Sequence, residues 1–403
     1  MCAFLLVAAS AFAADKPRVS VGIDVLEQQN FAPLLRADGH EAKVALVTNA
    51  TGLDSAGHRT IDVLAHASGI ELVAIFAPEH GIATKVDSPN IADSKDQTTG
   101  ISVYTVYGKS EFERRPRLEL LRGLDVVVFD LQDAGARFYT YETTLGYFLE
   151  ACAKAGVEMI VLDRPNPING VAVQGPLSTS ESSFVNYHSL PVRHGMTLGE
   201  LAQLFNGEKK IGAKLRVIKM QGWTRRQWFD ETGFAWVNPS PALRNMNAMA
   251  LYPGIALLEQ TNVSVGRGTA TPFEVVGAPW IDSERFAKYM NGRKLAGLSF
   301  HPTSFTPASS TLNGKECHGV SISISDRNAL DAPALGIELA AALQKLYPKQ
   351  FEVATMASLL ANDIDLQKLQ RGTDPNRIIG AWRSQVRAFG KLRQQYLLYP
   401  ELH

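Results

Sequence analysis

The stretch LVAIFAPEHG (72–81) runs apolar residues into a proline and then stops on Glu79, His80 and a glycine. A carboxyl preceded by Ile75, Phe76, Ala77 and Pro78 is partly desolvated, and desolvation favours its protonated form. An acid that keeps its proton near neutral pH can act as a general acid, the first requirement for cleaving a glycosidic bond. Glu79 taken alone could equally cap a helix or pair with an arginine, since structural ion pairs also perturb carboxyls. Other stretches carry comparable groups. FDLQDAGARFYTY (129–141) holds Asp130, Gln132, Asp133, Arg137, Tyr139 and Tyr141, and LDRPNP (162–167) holds Asp163, Arg164 and Asn166. LLEQTNVSVGRGTATPFEVVGAPW (257–280) holds Glu259, Asn262 and Arg267, while KVALVTNATG (43–52) adds Asn49. Arg137, Arg164 and Arg267 are candidate anion anchors through the planar guanidinium fork, or partners of the acids beside them.

These residues need elements to bring them together. KVALVTNATG, LVAIFAPEHG, DVVVFDLQDAG (125–135) and EMIVLDRPNP (158–167) share one design: an apolar, β-branched run, a polar tip and a helical return. Near-continuous apolar strands alternating with helices predict an α/β, Rossmann-like parallel sheet over residues 14–185. In such a sheet the carboxyl ends of the strands share one edge, where ligands bind, so the polar tips should line one crevice. From 186 to 403 the texture predicts a smaller α+β domain. MTLGELAQLFNG (196–207) reads as a helix whose Thr197 and Glu200 form a capping box. KLRVIKMQGW and HGVSISISD read as strands, and the Gly- and Thr-rich 257–280 loop is expected to close over the crevice.

The composition narrows the function. Lys plus Arg and Asp plus Glu both total 40 in 403 residues, so bulk charge favours neither nucleic acid nor an anionic membrane. No G-x-G-x-x-G follows an early strand, and neither a phosphate-binding G-x-x-x-x-G-K-[ST] nor a G-x-S-x-G nucleophile elbow is present. Glu79, His80, Asp130 and Asp133 offer metal ligands but lack paired-ligand spacing, so no metal or other cofactor is expected. The opening MCAFLLVAASAFAAD ends in an A-x-A pattern, which predicts a signal peptide over 1–13 and a periplasmic or secreted protein without membrane insertion, although a basic n-region is missing. Cys152 and Cys317 are read as buried free thiols, with a disulfide as the alternative.

APEHG (77–81), FDLQDAGARFYTY, LDRPNPING (162–170), MTLGELA (196–202), PSPAL (239–243) and EQTNVSVGRGTATPFEVVGAPW (259–280) together resemble the NamZ-type exo-β-N-acetylmuramidases, and in the same order. The resemblance implies a bacterial glycoside hydrolase acting on peptidoglycan-derived muramyl saccharides, with its active site between a Rossmann-like and a smaller domain. It also implies Glu79 as the catalytic carboxylate, with His80, Asp130, Gln132, Arg137, Tyr139, Tyr141 and Arg267 around it. Two departures stand out: Ile82, Ala83 and Thr84 replace an aromatic, an arginine and a glycine, and Gln260 replaces a glycine.

The expected reaction has Glu79 protonating the glycosidic oxygen while a second carboxylate, Asp130, Asp163 or Glu259, activates water or steadies the sugar cation. An arginine would hold the lactyl carboxylate of muramic acid. An exported binding protein that captures a muropeptide uncut is the alternative.

Overall fold

Alternating side chains in the apolar runs bury both faces of a sheet, and this sets the architecture. The protein was analysed as a computed structural model that describes residues 19–400; the expected signal peptide lies outside them. Strands β1 (Ala42–Thr48), β2 (Ile70–Ala77), β3 (Ser94–Lys95), β4 (Ser102–Thr105), β5 (Val126–Asp130) and β6 (Glu158–Leu162) are followed by a β7–β8 pair (Gln174–Leu177, Pro191–Arg193) and then β9 (Leu215–Ile218). The seven-stranded sheet has the order β3-β4-β2-β1-β5-β6-β9 and is parallel except at β3. Composition placed the end of this domain at residue 185. The sheet nevertheless takes its last strand from Leu215–Ile218, because β6 still has an open edge that β9 satisfies.

Val47, Phe76, Phe129 and Val161 face the helix Tyr141–Ala155, whose Phe148 meets Phe76 edge-on at 5.2 Å. Val44, Leu46, Ile75, Val128 and Ile160 face the opposite core, with Leu26 and Leu64 from the helices Gly22–Gln28 and Thr60–Ala65. Each fully buried aliphatic or aromatic side chain of this kind contributes roughly 1.5–3 kcal/mol. The Thr197–Glu200 capping box forms as expected: Thr197 Oγ1 accepts from Glu200 N–H and the Glu200 carboxylate accepts from Thr197 N–H.

A smaller antiparallel sheet, β10-β12-β11 (Val275–Ala278, Cys317–Ile324, Leu298–Phe305), packs with the helices Met246–Ile255 and Ala332–Leu346. Those two helices cross through glycines: a Cβ on Gly254 would lie 1.8 Å from the Ala332 carbonyl oxygen, so no larger residue fits. Cys152 sits in the helix Tyr141–Ala155 and Cys317 in β12; both are buried free thiols. No described helix is long and apolar enough to cross a membrane.

Candidate active site

The carboxyl ends of β1, β2 and β4 are adjacent, with Ala77 beside Thr105 and Val47 beside Phe76. Beyond β2 the chain turns sharply. His80 and Gly81 both take left-handed backbone angles, φ 71° and 70°. Gly81 does so freely, whereas the His80 conformation costs about 1–2 kcal/mol, strain of a kind that clusters at functional sites. The turn sets Glu79 half-buried, and its Oε2 accepts the Thr140 hydroxyl at 2.5 Å. Behind it, Tyr141 donates its hydroxyl toward the carbonyls of Pro239 (2.8 Å) and Glu79 (3.2 Å) and accepts from Asn49 Nδ2 at 2.8 Å. Asn49 is itself fixed by Thr51, whose N–H and hydroxyl both donate to its Oδ1. Tyr107, just past β4, lies against the Glu79 carboxyl; burial and that neighbouring charge push its phenol up.

Glu79 opens onto a cavity of about 170 Å³ whose walls include His80, Tyr139, Tyr252, Glu259 and Arg267. Arg267 pairs with Glu259 on its own domain and with Asp87 on the other, so it ties the two together at this wall. His80 Nδ1 lies 3.0 Å from the Val86 carbonyl oxygen and 3.3 Å from Asp87. The His80 ring and the Arg267 guanidinium hold Asp87 well below the usual carboxylate range, against the cost of burial. Gln260, one of the two departures noted in the sequence, lines the same cavity.

The remaining predicted tips do not reach it. Asp130 is fully buried, where its carboxylate takes Nε and Nη2 of Arg164 at 2.5 and 2.9 Å and the Thr60 hydroxyl at 2.5 Å. Asp163 accepts from the Thr197 and Tyr399 hydroxyls and from the N–H groups of Gly199 and Arg164, which pins the helix Leu198–Glu208 and the returning C-terminal segment to the sheet. Arg137, expected as an anion anchor, is buried with four donor contacts, all to backbone carbonyls, of Pro176, Leu190, Leu359 and Leu360. Gln132 donates to the carbonyls of Asp133 and Pro165, Asn166 to that of Met196, and Asn262 to that of Gln350. These side chains build the edge on which the site stands. Arg164 and Gln132 also border a separate cavity of about 250 Å³ beyond β1 and β5.

Comparison with known proteins decides the family. The family described as exo-beta-N-acetylmuramidase NamZ matches through its N-terminal part over residues 44–247 and its C-terminal part over residues 250–399. The chain belongs to the NamZ family. It is similar to the peptidoglycan beta-N-acetylmuramidase NamZ of Bacillus subtilis (strain 168), with 38% identity over 391 residues, covering 96% of this chain and 92% of that one. Two crystal structures of DUF1343 family proteins from Bacteroides fragilis NCTC 9343 share the fold. One has a TM-score of 0.85 at 32% identity and the other 0.76 at 29%, each covering 95% of this chain and 99% of its own.

Membership in the NamZ family makes the chain a glycoside hydrolase, and the cavity beside the EHG turn is its candidate site. Sequence reasoning passed over three of its neighbours. Thr140 was legible, since it falls between Tyr139 and Tyr141 in FYTY, and Tyr107 follows a short strand whose tip obeys the same rule as the others. Asp87 carries no local signal at all.

A buried cluster lies behind these residues. His194 Nε2 is 2.8 Å from Glu142 and 3.6 Å from Asp133, and all three are buried. Three such ligand atoms could suit a metal, yet Met196 N–H donates to His194 Nδ1 at 3.1 Å. The single ring proton therefore sits on Nε2, which leaves that nitrogen no lone pair for a cation. Burial disfavours an imidazolium here while Glu142 and Asp133 favour one, and the Met196 donor blocks the second proton. The group that yields is Glu142, pushed up to about 7 by burial, with Asp133 adding to the effect and His194 opposing it. A carboxyl whose folded value lies above its unfolded 4.5 loses folding stability as pH rises through that window. Glu142→Gln is thus expected to remove roughly 1–3 kcal/mol of the wild type's stability loss between about pH 4.5 and 7, read by urea unfolding at each pH. Identical slopes in the two proteins would refute the assignment.

Proposed function

We propose that the protein removes N-acetylmuramic acid from the non-reducing ends of peptidoglycan-derived saccharides, with Glu79 protonating the glycosidic oxygen. The observation that carries this reading is Glu79 itself: a strand-end carboxyl, held at one oxygen by Thr140, on the wall of a small cavity that the second domain closes with Glu259 and Arg267. The named activity of the Bacillus subtilis relative supports the substrate class. At about 170 Å³ the cavity is smaller than the roughly 300–1,000 Å³ of ordinary ligand pockets, which favours one terminal sugar over a continuous glycan.

Among the candidate second carboxylates, Asp130 and Asp163 are committed to internal hydrogen bonds. Glu259 shares the cavity with Glu79 and takes that role in this proposal. Arg267 is the cation available for a lactyl carboxylate, by exchanging one of its present acidic partners for the ligand. Arg267→Ala should raise KM for muramyl substrates roughly 10- to 150-fold, the equivalent of a charged hydrogen bond of about 1.5–3 kcal/mol. The deciding experiment incubates wild type and variant with a muramyl disaccharide and follows free N-acetylmuramic acid. Return of the disaccharide intact by the folded wild type would overturn the reading in favour of a binding protein.

A further inference from the structure

Tyr107 does more than touch Glu79. It also lines a groove of about 480 Å³ that borders the EHG turn, where Thr105 pairs with Ala77 and Ile91 faces Gly81, between the segment around Asn90, Ile91 and Asp93 and the short helix Glu111–Arg114. Phe112 lines it too, 80% exposed and the most exposed large hydrophobic residue among those described. Such a side chain gains nothing from contact with water, and Ser110 and Glu113 cap the helix that carries it in a reciprocal box. Beyond Phe112 lies a second cavity of about 270 Å³, walled by Pro116, Leu118, Tyr147 and Ala151.

The charges along the groove are already matched. Arg117 pairs with Asp93, and Arg115 pairs with Glu150 and Glu111. Glu113 is engaged at the cap. What remains is an aromatic face beside hydroxyl and amide groups, from Thr105, Tyr107 and Asn90. That combination suits a neutral pyranose with an apolar face and polar rim, and it does not suit a free carboxylate.

We propose that this groove is the subsite for the leaving sugar, a neutral pyranose stacked on Phe112. The proposal rests on Glu79 as the proton donor, because the groove begins at the tyrosine beside that carboxyl. Division of labour follows: the cavity beside Glu79 takes the charged terminal sugar and the groove takes what is cut from it.

The test compares wild type, Phe112→Ala and Phe112→Trp on a muramyl-N-acetylglucosamine disaccharide, with inhibition by each free sugar measured separately. Phe112→Ala should raise KM for the disaccharide about tenfold and weaken inhibition by free N-acetylglucosamine by a similar factor. Inhibition by free N-acetylmuramic acid should stay at the wild-type value, and Phe112→Trp should restore disaccharide binding. Because Phe112 is exposed, the variants should keep the wild-type melting temperature, and the tryptophan variant reports stacking independently of any loss in the alanine one. Wild-type KM and N-acetylglucosamine inhibition in Phe112→Ala would overturn the subsite while leaving Glu79 in place. Failure of the wild type to cleave the disaccharide is a separate outcome, which removes the reading of Glu79 and the subsite with it.

Discussion

Glu79→Gln is expected to lower the rate of N-acetylmuramic acid release from a muramyl disaccharide by roughly 10²- to 10⁴-fold, the usual span for losing a positioned general acid. Glutamine preserves the shape of the side chain and can still accept the Thr140 hydroxyl that Oε2 accepts at 2.5 Å. Thr140, Tyr141 and Asn49 therefore keep their places, and the melting temperature should move by no more than about 1–2 °C. The defect should also depend on the leaving group. A nitrophenyl muramide departs without needing a proton, so its hydrolysis should fall far less than that of the disaccharide, whose sugar alkoxide cannot leave unprotonated. Equal losses on both substrates would argue that Glu79 binds or orients rather than donates. Wild-type turnover of the disaccharide would remove it from the mechanism.

A different signature is expected at Arg164. Its guanidinium is the only cation on Asp130 among the described residues, and both side chains are buried, at 6% and 0% exposure. Arg164→Met fills much of the same volume but leaves Asp130 with the Thr60 hydroxyl as its remaining side-chain donor. Stranding a buried carboxylate in this way costs about 3–5 kcal/mol, which denaturant unfolding would read directly. Adding Asp130→Asn should recover part of that loss, because the double variant no longer carries the unpaired charge. At temperatures where Arg164→Met stays folded, KM should remain near the wild-type value. A large rise in KM with unchanged stability would mean instead that Arg164 contacts substrate, as its position at a strand tip first suggested.

The contrast between these two residues marks how far the sequence could be read. Both follow an apolar β-branched run, and both lie at the carboxyl edge of the sheet, as the period of the runs predicted. The parallel sheet, the Thr197–Glu200 cap and the strained EHG turn are local matters, set by side-chain alternation, hydrogen-bond spacing and the freedom of one glycine. Which tips share a cavity is not local. Arg137 and Arg267 are alike as letters, yet one is consumed by carbonyls at Leu359 and Leu360 and the other spans Glu259 and Asp87.

The amino-acid order thus determined the strands, their common edge and an acid placed at the end of one of them. Tertiary structure decided that Thr140, Tyr107 and Glu259 would surround that acid, while Asp130 and Asp163 turned inward to hold the scaffold. The physical reason is range. Periodicity and capping act over a few residues, whereas a cavity wall joins positions such as Asp87 and Arg267, 180 residues apart, only after the whole chain has packed.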